Sequence, residues 1–93
     1  MAVTYILYSE KTDKFYIGSS RTDAASRLVA HNTGHTRSTK SGRPWILMLE
    51  EQHETYTEAR QRENFLKSGV GRKWINENIG SFRNNSAQSG GVA

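Results

Sequence analysis

The run VTYILY, Val3 to Tyr8, is dense in β-branched and aromatic residues, and FYI at Phe15 to Ile17 repeats that character after the turn formers SEKTDK. This pattern predicts a β-hairpin. If Tyr8 pairs with Phe15, the same register sets Tyr5 against Gly18 and Leu7 against Tyr16. Tyr5, Tyr16 and Gly18 then share one side of the sheet. TDAASRLVAHNTG reads as a helix, with Thr22 or Asp23 as N-cap and Gly34 past its end. Its spacing turns Ala25, Leu28 and Val29 toward the core and stacks Arg27 and His31, four apart, on an adjacent face.

From His31 to Arg43 the polar, glycine-punctuated HNTGHTRSTKSGR reads as a loop, and after Pro44 the apolar start of WILMLEE suits a buried central strand. TYTEARQRENFLKSG predicts a second helix, opened by a Thr55–Glu58 capping box or by Thr57, with Ala59, Phe65 and Leu66 on its buried side. Glu63 follows Ala59 by four and precedes Leu66 by three, so a carboxylate falls on or beside the apolar face. A short third helix is expected from about Arg72 to Ile79, with Trp74, Ile75 and Ile79 inward and Gly80 ending it. The order β-β-α-β-α-α predicts an α+β domain over residues 1–80: a small, mainly antiparallel three-stranded sheet flanked by helices. SFRNNSAQSGGVA, residues 81–93, has little to bury and is expected to be a flexible tail.

The 93 residues suit one domain with a modest core. With no cysteine, disulfides, thiolate metal sites and thiol nucleophiles are excluded. No stretch approaches the ~20 apolar residues of a membrane helix, and the N-terminal residues lack the basic start and cleavage site of a secretion signal. The expectation is a cytoplasmic protein with no membrane association. Thirteen Lys and Arg against nine Asp and Glu give a net charge of +4, which favours a polyanionic partner. No protein partner is inferable.

Several of these pieces occur together in one known family. YILYS, KFYIG, R-L-V-A-H-N, RPW, EARQRENFLKSG and GRKWI resemble the GIY-YIG nuclease superfamily, in particular its small single-domain bacterial members related to the nuclease region of the excinuclease C subunit. The likeness spans about residues 3–79. It implies an endonuclease that hydrolyses DNA phosphodiester bonds with one divalent cation, Mg²⁺ or Mn²⁺, in DNA repair or recombination, with RNA as a further possible substrate. By position, Val3-Thr4-Tyr5 stands for the first motif and Tyr16-Ile17-Gly18 for the second. Arg27 stands for the helix arginine, His31 for the position one turn later, and Glu63 for the metal ligand. Three departures are plain: the spacing from Gly18 to Arg27 is one residue longer than in many close relatives, Arg27 being taken over Arg21 because it keeps His31 at the right distance, and two motifs differ in residues. Val3-Thr4 replaces Gly-Ile, and Ser19-Ser20 follow Gly18 where relatives often carry lysine or a tyrosine-threonine pair.

The chemistry suits these residue types. Mg²⁺ commonly binds one or two carboxylates and keeps its waters. Arg27 presents a permanently charged fork to phosphate oxygens. A tyrosine needs help to act as a base, because its unperturbed pKa is about 10. Tyr5 is the favoured base, with Tyr16 positioning water or phosphate, and the reverse assignment stays open. Lys40, Arg43, Arg72 and Lys73 are candidate phosphate contacts. Each residue also has a plainer reading: the tyrosines as ordinary strand aromatics, Arg27 and His31 as a solvated face, Glu63 as the i,i+4 partner of Lys67. A nucleic-acid-binding module of the same fold without catalysis is the alternative function.

Overall fold

The computed structural model describes residues 1–79; the expected Gly80 helix end and the 81–93 tail lie outside them. The chain divides into two compact units, Met1–Glu63 and the residues from Asn64 onward. In the first, β1 (Ala2–Ser9), β2 (Lys14–Ser20) and β3 (Trp45–His53) form one antiparallel sheet in the order β2-β1-β3. The β-β-α-β-α-α succession is completed by α1 (Ala24–Asn32), α2 (Tyr56–Lys67) and α3 (Gly69–Asn78).

The hairpin register is the expected one: Tyr5 pairs with Gly18, Leu7 with Tyr16 and Tyr8 with Phe15. Its turn is set by Asp13, which adopts a left-handed φ of 55° while its carboxylate accepts a 2.7 Å hydrogen bond from the Tyr8 hydroxyl. The central strand, however, is β1 and not the expected β3. All eight β1 residues are buried, whereas β3 lies at an edge and is only partly covered. β1 tolerates this because its polar residues are satisfied internally. Thr4 donates to the Ala59 carbonyl at 2.8 Å and Ser9 to the Gly42 carbonyl at 2.6 Å. Opposite β1, β3 slips register between Leu47 and Leu49, a bulge that leaves Met48 unpaired.

One face of the sheet carries Val3, Tyr5, Leu7 and Trp45, packed with Ala24 and with the half-buried Tyr16, Leu28 and Leu47. The α1 helix covers that face, but with a different rotation from the expected one: Ala25 is exposed and Val29 is 62% exposed. Its inward stripe is Ala24, Leu28 and His31, an i, i+4, i+7 set. Asp23 caps this helix, accepting from the Ser26 amide at 2.7 Å, and Glu50 accepts from the Ala24 amide at 3.0 Å. At the other end Asn32 accepts from the Trp45 amide at 2.6 Å and donates to the Trp45 carbonyl at 3.1 Å. The helix is thereby fastened to β3 at both ends, which fixes where Arg27 and His31 point. Gly34, at φ +85°, turns the chain away after it.

The expected loop after α1 contains a 3₁₀ helix, Arg37–Gly42, in which Thr39 is buried. Trp45 explains the order in this polar stretch, since its indole N–H donates to the Thr39 carbonyl at 2.7 Å. The capping box at α2 forms as expected, Thr55 and Glu58 each accepting the other's backbone N–H at 3.2 Å. In the second unit, α3 starts three residues earlier than expected, because Ser68 caps it by accepting from the Gly71 amide. Gly71 packs so tightly that a Cβ there would collide with the Phe65 carbonyl oxygen. Leu66, Ile75 and Ile79 are buried there and Trp74 partly so, but Phe65 is exposed where burial was expected.

Candidate active site

A pocket of about 550 Å³ opens beside the edge strand β2 and draws on both faces of the sheet. Strand alternation sends Tyr5, Tyr16 and Gly18 to the α1 face, where Arg27 joins them, and sends Ser19 to the α2 face, where it meets Glu63. Gly18 is what lets the tyrosine reach the pocket. A Cβ at this position would stand 2.5 Å from the Tyr5 hydroxyl oxygen and 2.6 Å from its ring carbon. Gly18→Ala is therefore expected to push the buried Tyr5 ring out of place, destabilising the fold by about 1–3 kcal/mol and abolishing activity out of proportion to that loss. Urea denaturation beside a cleavage assay separates the two effects.

Tyr5, Tyr16 and His31 form one aromatic cluster, with ring centroids 6.4 Å apart for the tyrosines and 4.7 Å for Tyr16 and His31. Within it a chain of hydrogen bonds links Tyr5, His31 and Thr39. Thr39 Oγ1 lies 3.2 Å from the Thr36 carbonyl, which can only accept, and 2.8 Å from His31 Nδ1. If the threonine proton goes to the carbonyl, the N–H sits on Nδ1 and Nε2 is left as an acceptor. The Tyr5 hydroxyl lies 3.2 Å from Nε2 and, in that tautomer, donates to it. Burial, and secondarily the Arg27 charge, hold His31 below its ordinary pKa, so the ring is neutral. Burial likewise raises the Tyr5 phenol above its usual range, opposed by hydrogen bonding from Arg27 and reinforced by Tyr16.

The depressed His31 has a consequence for stability. Below about pH 6.5 an unfolded chain takes up a proton at His31 that the folded chain refuses. The stabilising contribution is thus complete above the unfolded value and is lost as pH falls toward and through the folded one. Urea midpoints should drop between pH 7.5 and 5, with a shallower drop in His31→Gln; equal slopes would contradict the assignment.

On the α2 face, Glu63 is 13% exposed and accepts from the Ser19 hydroxyl at 2.5 Å, with Arg60 Nε at 3.8 Å. Among the described residues no group of three or more His, Asp or Glu side chains converges to hold a metal. A divalent ion here would rest on the Glu63 carboxylate, water and substrate oxygens, a donor set that suits a hard cation such as Mg²⁺. The Ser19-Ser20 departure thus brings a hydroxyl onto the candidate ligand.

Sequence reasoning overlooked Tyr56 and Arg60, which share a wall with Glu63, and weighed Arg21 only as the helix arginine. Tyr56, Arg60 and Glu63 form an i, i+4, i+7 stripe along α2, the periodic signal that would have found them. The Arg21 guanidinium lies 4.1 Å from the Tyr56 ring centroid and that of Arg60 5.9 Å. Hydrogen bonding with Ser19 and then Arg60 holds the Tyr56 hydroxyl below the ordinary phenol range. Of the candidate phosphate contacts, Lys40 is exposed on the 3₁₀ helix, and Arg43 Nε donates to the Lys40 carbonyl at 2.9 Å; neither lines the pocket. Arg72 and Lys73 are exposed on α3 in the second unit. His35 is exposed, and His53 lies 3.1 Å from the Thr4 hydroxyl.

No curated protein and no solved structure matches the chain. The family model for the GIY-YIG catalytic domain matches residues 1–76 of the 93, the span that contains both tyrosines, the helix arginine and histidine, and the glutamate. The chain belongs to the GIY-YIG family, whose members are endonucleases that generally depend on a divalent metal.

Proposed function

We propose that this protein hydrolyses DNA phosphodiester bonds with Mg²⁺ or Mn²⁺, using Tyr5, His31, Arg27 and Glu63. The observation that supports the reading is the 3.2 Å hydrogen bond between the buried Tyr5 hydroxyl and His31 Nε2. A tyrosine alone is a poor base near pH 7, and more so with its pKa raised. The bond to His31 removes the difficulty. As the attacking water gives its proton to the Tyr5 oxygen, Tyr5 passes its own proton to His31 Nε2. The imidazolium that results keeps its Nδ1–H on Thr39. Arg27 lowers the cost of negative charge on the phenol oxygen and faces the pocket in which the phosphate would lie.

Tyr16, in contact with the His31 ring, positions water or phosphate. Glu63 would hold the divalent ion, which when bound supplies charge neutralisation at the phosphoryl and departing oxygens. A cytoplasmic setting in DNA repair or recombination is part of the same proposal; among the described residues no helix is long and apolar enough to cross a membrane. The exposed cations Lys40, Arg72 and Lys73 remain proposed contacts to phosphates farther along the nucleic acid. Arg43 is proposed with them, its guanidinium also closing the 3₁₀ turn.

The test is incubation of labelled single-stranded, duplex and branched DNA, and of RNA, with Mg²⁺, Mn²⁺ or EDTA. Cutting of at least one DNA form with metal and none in EDTA is expected. A folded protein that binds these nucleic acids and cuts none with either metal is a binding module, and the proposal fails.

A further inference from the structure

Arg21, Tyr56 and Arg60 have no part in the proton path just described, yet all three line the same pocket. The pocket walls carry three guanidiniums, Arg21, Arg27 and Arg60, against one carboxylate, Glu63. One phosphodiester carries a single negative charge, so the scissile group and Glu63 together leave positive charge unmatched even before a metal is counted. The volume agrees. At about 550 Å³ this open pocket exceeds what one phosphate needs.

The way the arginines are held matters more than their number. The Arg21 guanidinium carbon sits over the face of the Tyr56 ring, 4.1 Å from its centroid. A face contact of that kind fixes the group without consuming any of its five N–H donors, which radiate in the guanidinium plane. Arg60 is anchored beside the same ring by hydrogen bonding with the Tyr56 hydroxyl, and its ion pair with the largely covered Glu63 is long, 3.8 Å, leaving most of the exposed guanidinium's donors for a ligand. Preorganised, donor-rich guanidiniums are what bidentate recognition of a phosphate requires.

We propose that Arg21 and Arg60, held around the Tyr56 ring, form a subsite for a second phosphodiester, the one adjacent to the bond being cut on the same strand. This rests on the nuclease reading for the identity of the first phosphate. The subsite makes the minimal well-bound substrate a strand with two consecutive phosphodiesters.

The test is binding, in EDTA, of the thymidine dinucleotide with one phosphodiester and the trinucleotide with two, followed by NMR titration. The proteins are wild type, Arg21→Ala, Arg60→Ala, Tyr56→Leu and, as a charge-matched control outside the pocket, Arg37→Ala. Wild type and Arg37→Ala are expected to bind the trinucleotide at least about tenfold more tightly than the dinucleotide, the scale of one charge-assisted contact. In Arg21→Ala and Arg60→Ala the ratio should fall to about the twofold expected from two equivalent registers, and Tyr56→Leu should lie between. Equal ratios in all five proteins, or no gain in wild type, would overturn the subsite. Because the titration needs no cutting, a wild type that shows the gain but hydrolyses no DNA supports the subsite and counts against the hydrolytic reading alone.

Discussion

Tyr5→Phe should lower the rate of DNA cleavage by about 10²- to 10⁴-fold, the range for loss of a positioned acid–base group, while the protein stays folded. The ring is buried in the core and phenylalanine fills nearly the same space, so packing survives. What disappears is the hydroxyl between the pocket and His31 Nε2, leaving that buried nitrogen without its donor at a cost of about 1–3 kcal/mol. Steady-state kinetics should place the loss in kcat rather than KM. His31→Gln removes the other end of the path, and because the two groups act as a unit, the double variant should be little worse than the more damaging single one. A neutral His31 also sets the acid limb of the rate. With its pKa depressed by burial, kcat should hold to below the ordinary histidine range before falling. Additive losses, or a Tyr5→Phe enzyme as fast as wild type, would remove Tyr5 from the chemistry.

Glu63→Ala should have an effect at least as large, about 10³-fold or more, since it removes the carboxylate proposed to hold the divalent ion. The residue lies late in α2 with Ser19 on one oxygen, outside the buried cluster on the α1 face of the sheet. Glu63→Asp gives a graded test. It keeps the charge but withdraws it by one methylene, so the Mg²⁺ concentration for half-maximal rate should rise while saturating metal restores part of the activity. Titrating Mg²⁺ against initial rate for the three proteins checks this. An unchanged activation curve in Glu63→Asp would place the metal elsewhere.

Much of this arrangement was legible in the residues. The β-branched and aromatic pattern gave the hairpin and its register, and the register put Gly18 over Tyr5. The spacing of Thr55 and Glu58 gave the α2 cap. Where the reading failed, side-chain hydrogen bonds or packing outweighed local pattern. WILMLEE is more continuously apolar at its start than AVTYILYS, so hydrophobicity favoured β3 as the central strand. Thr4 and Ser9 make β1 the buried one because each donates to a carbonyl from a distant segment, which no local pattern reveals.

The α1 helix was misphased for a related reason. Val29 is the more hydrophobic residue, yet His31 takes the inward position because Tyr5 and Thr39 satisfy both of its nitrogens. The same substitution of hydrogen bonds for apolar contact ordered the polar stretch around Thr39. The second wall of the pocket was hidden differently: Arg21 and Tyr56 are 35 positions apart, and only the fold brings them face to face. Of the cations picked out from the sequence only Arg27 lines the pocket, whereas Arg21 and Arg60 reach it beside the Tyr56 ring.

The most direct measurement is parallel cleavage and binding of labelled DNA by wild type and Glu63→Ala, with Mg²⁺ and with EDTA, circular dichroism confirming that both are folded. Wild type should cut only with Mg²⁺, and Glu63→Ala should bind the DNA comparably and leave it intact. Wild-type protein that binds without cutting, or a Glu63→Ala protein that cuts as fast as wild type, would contradict metal-dependent hydrolysis at this pocket.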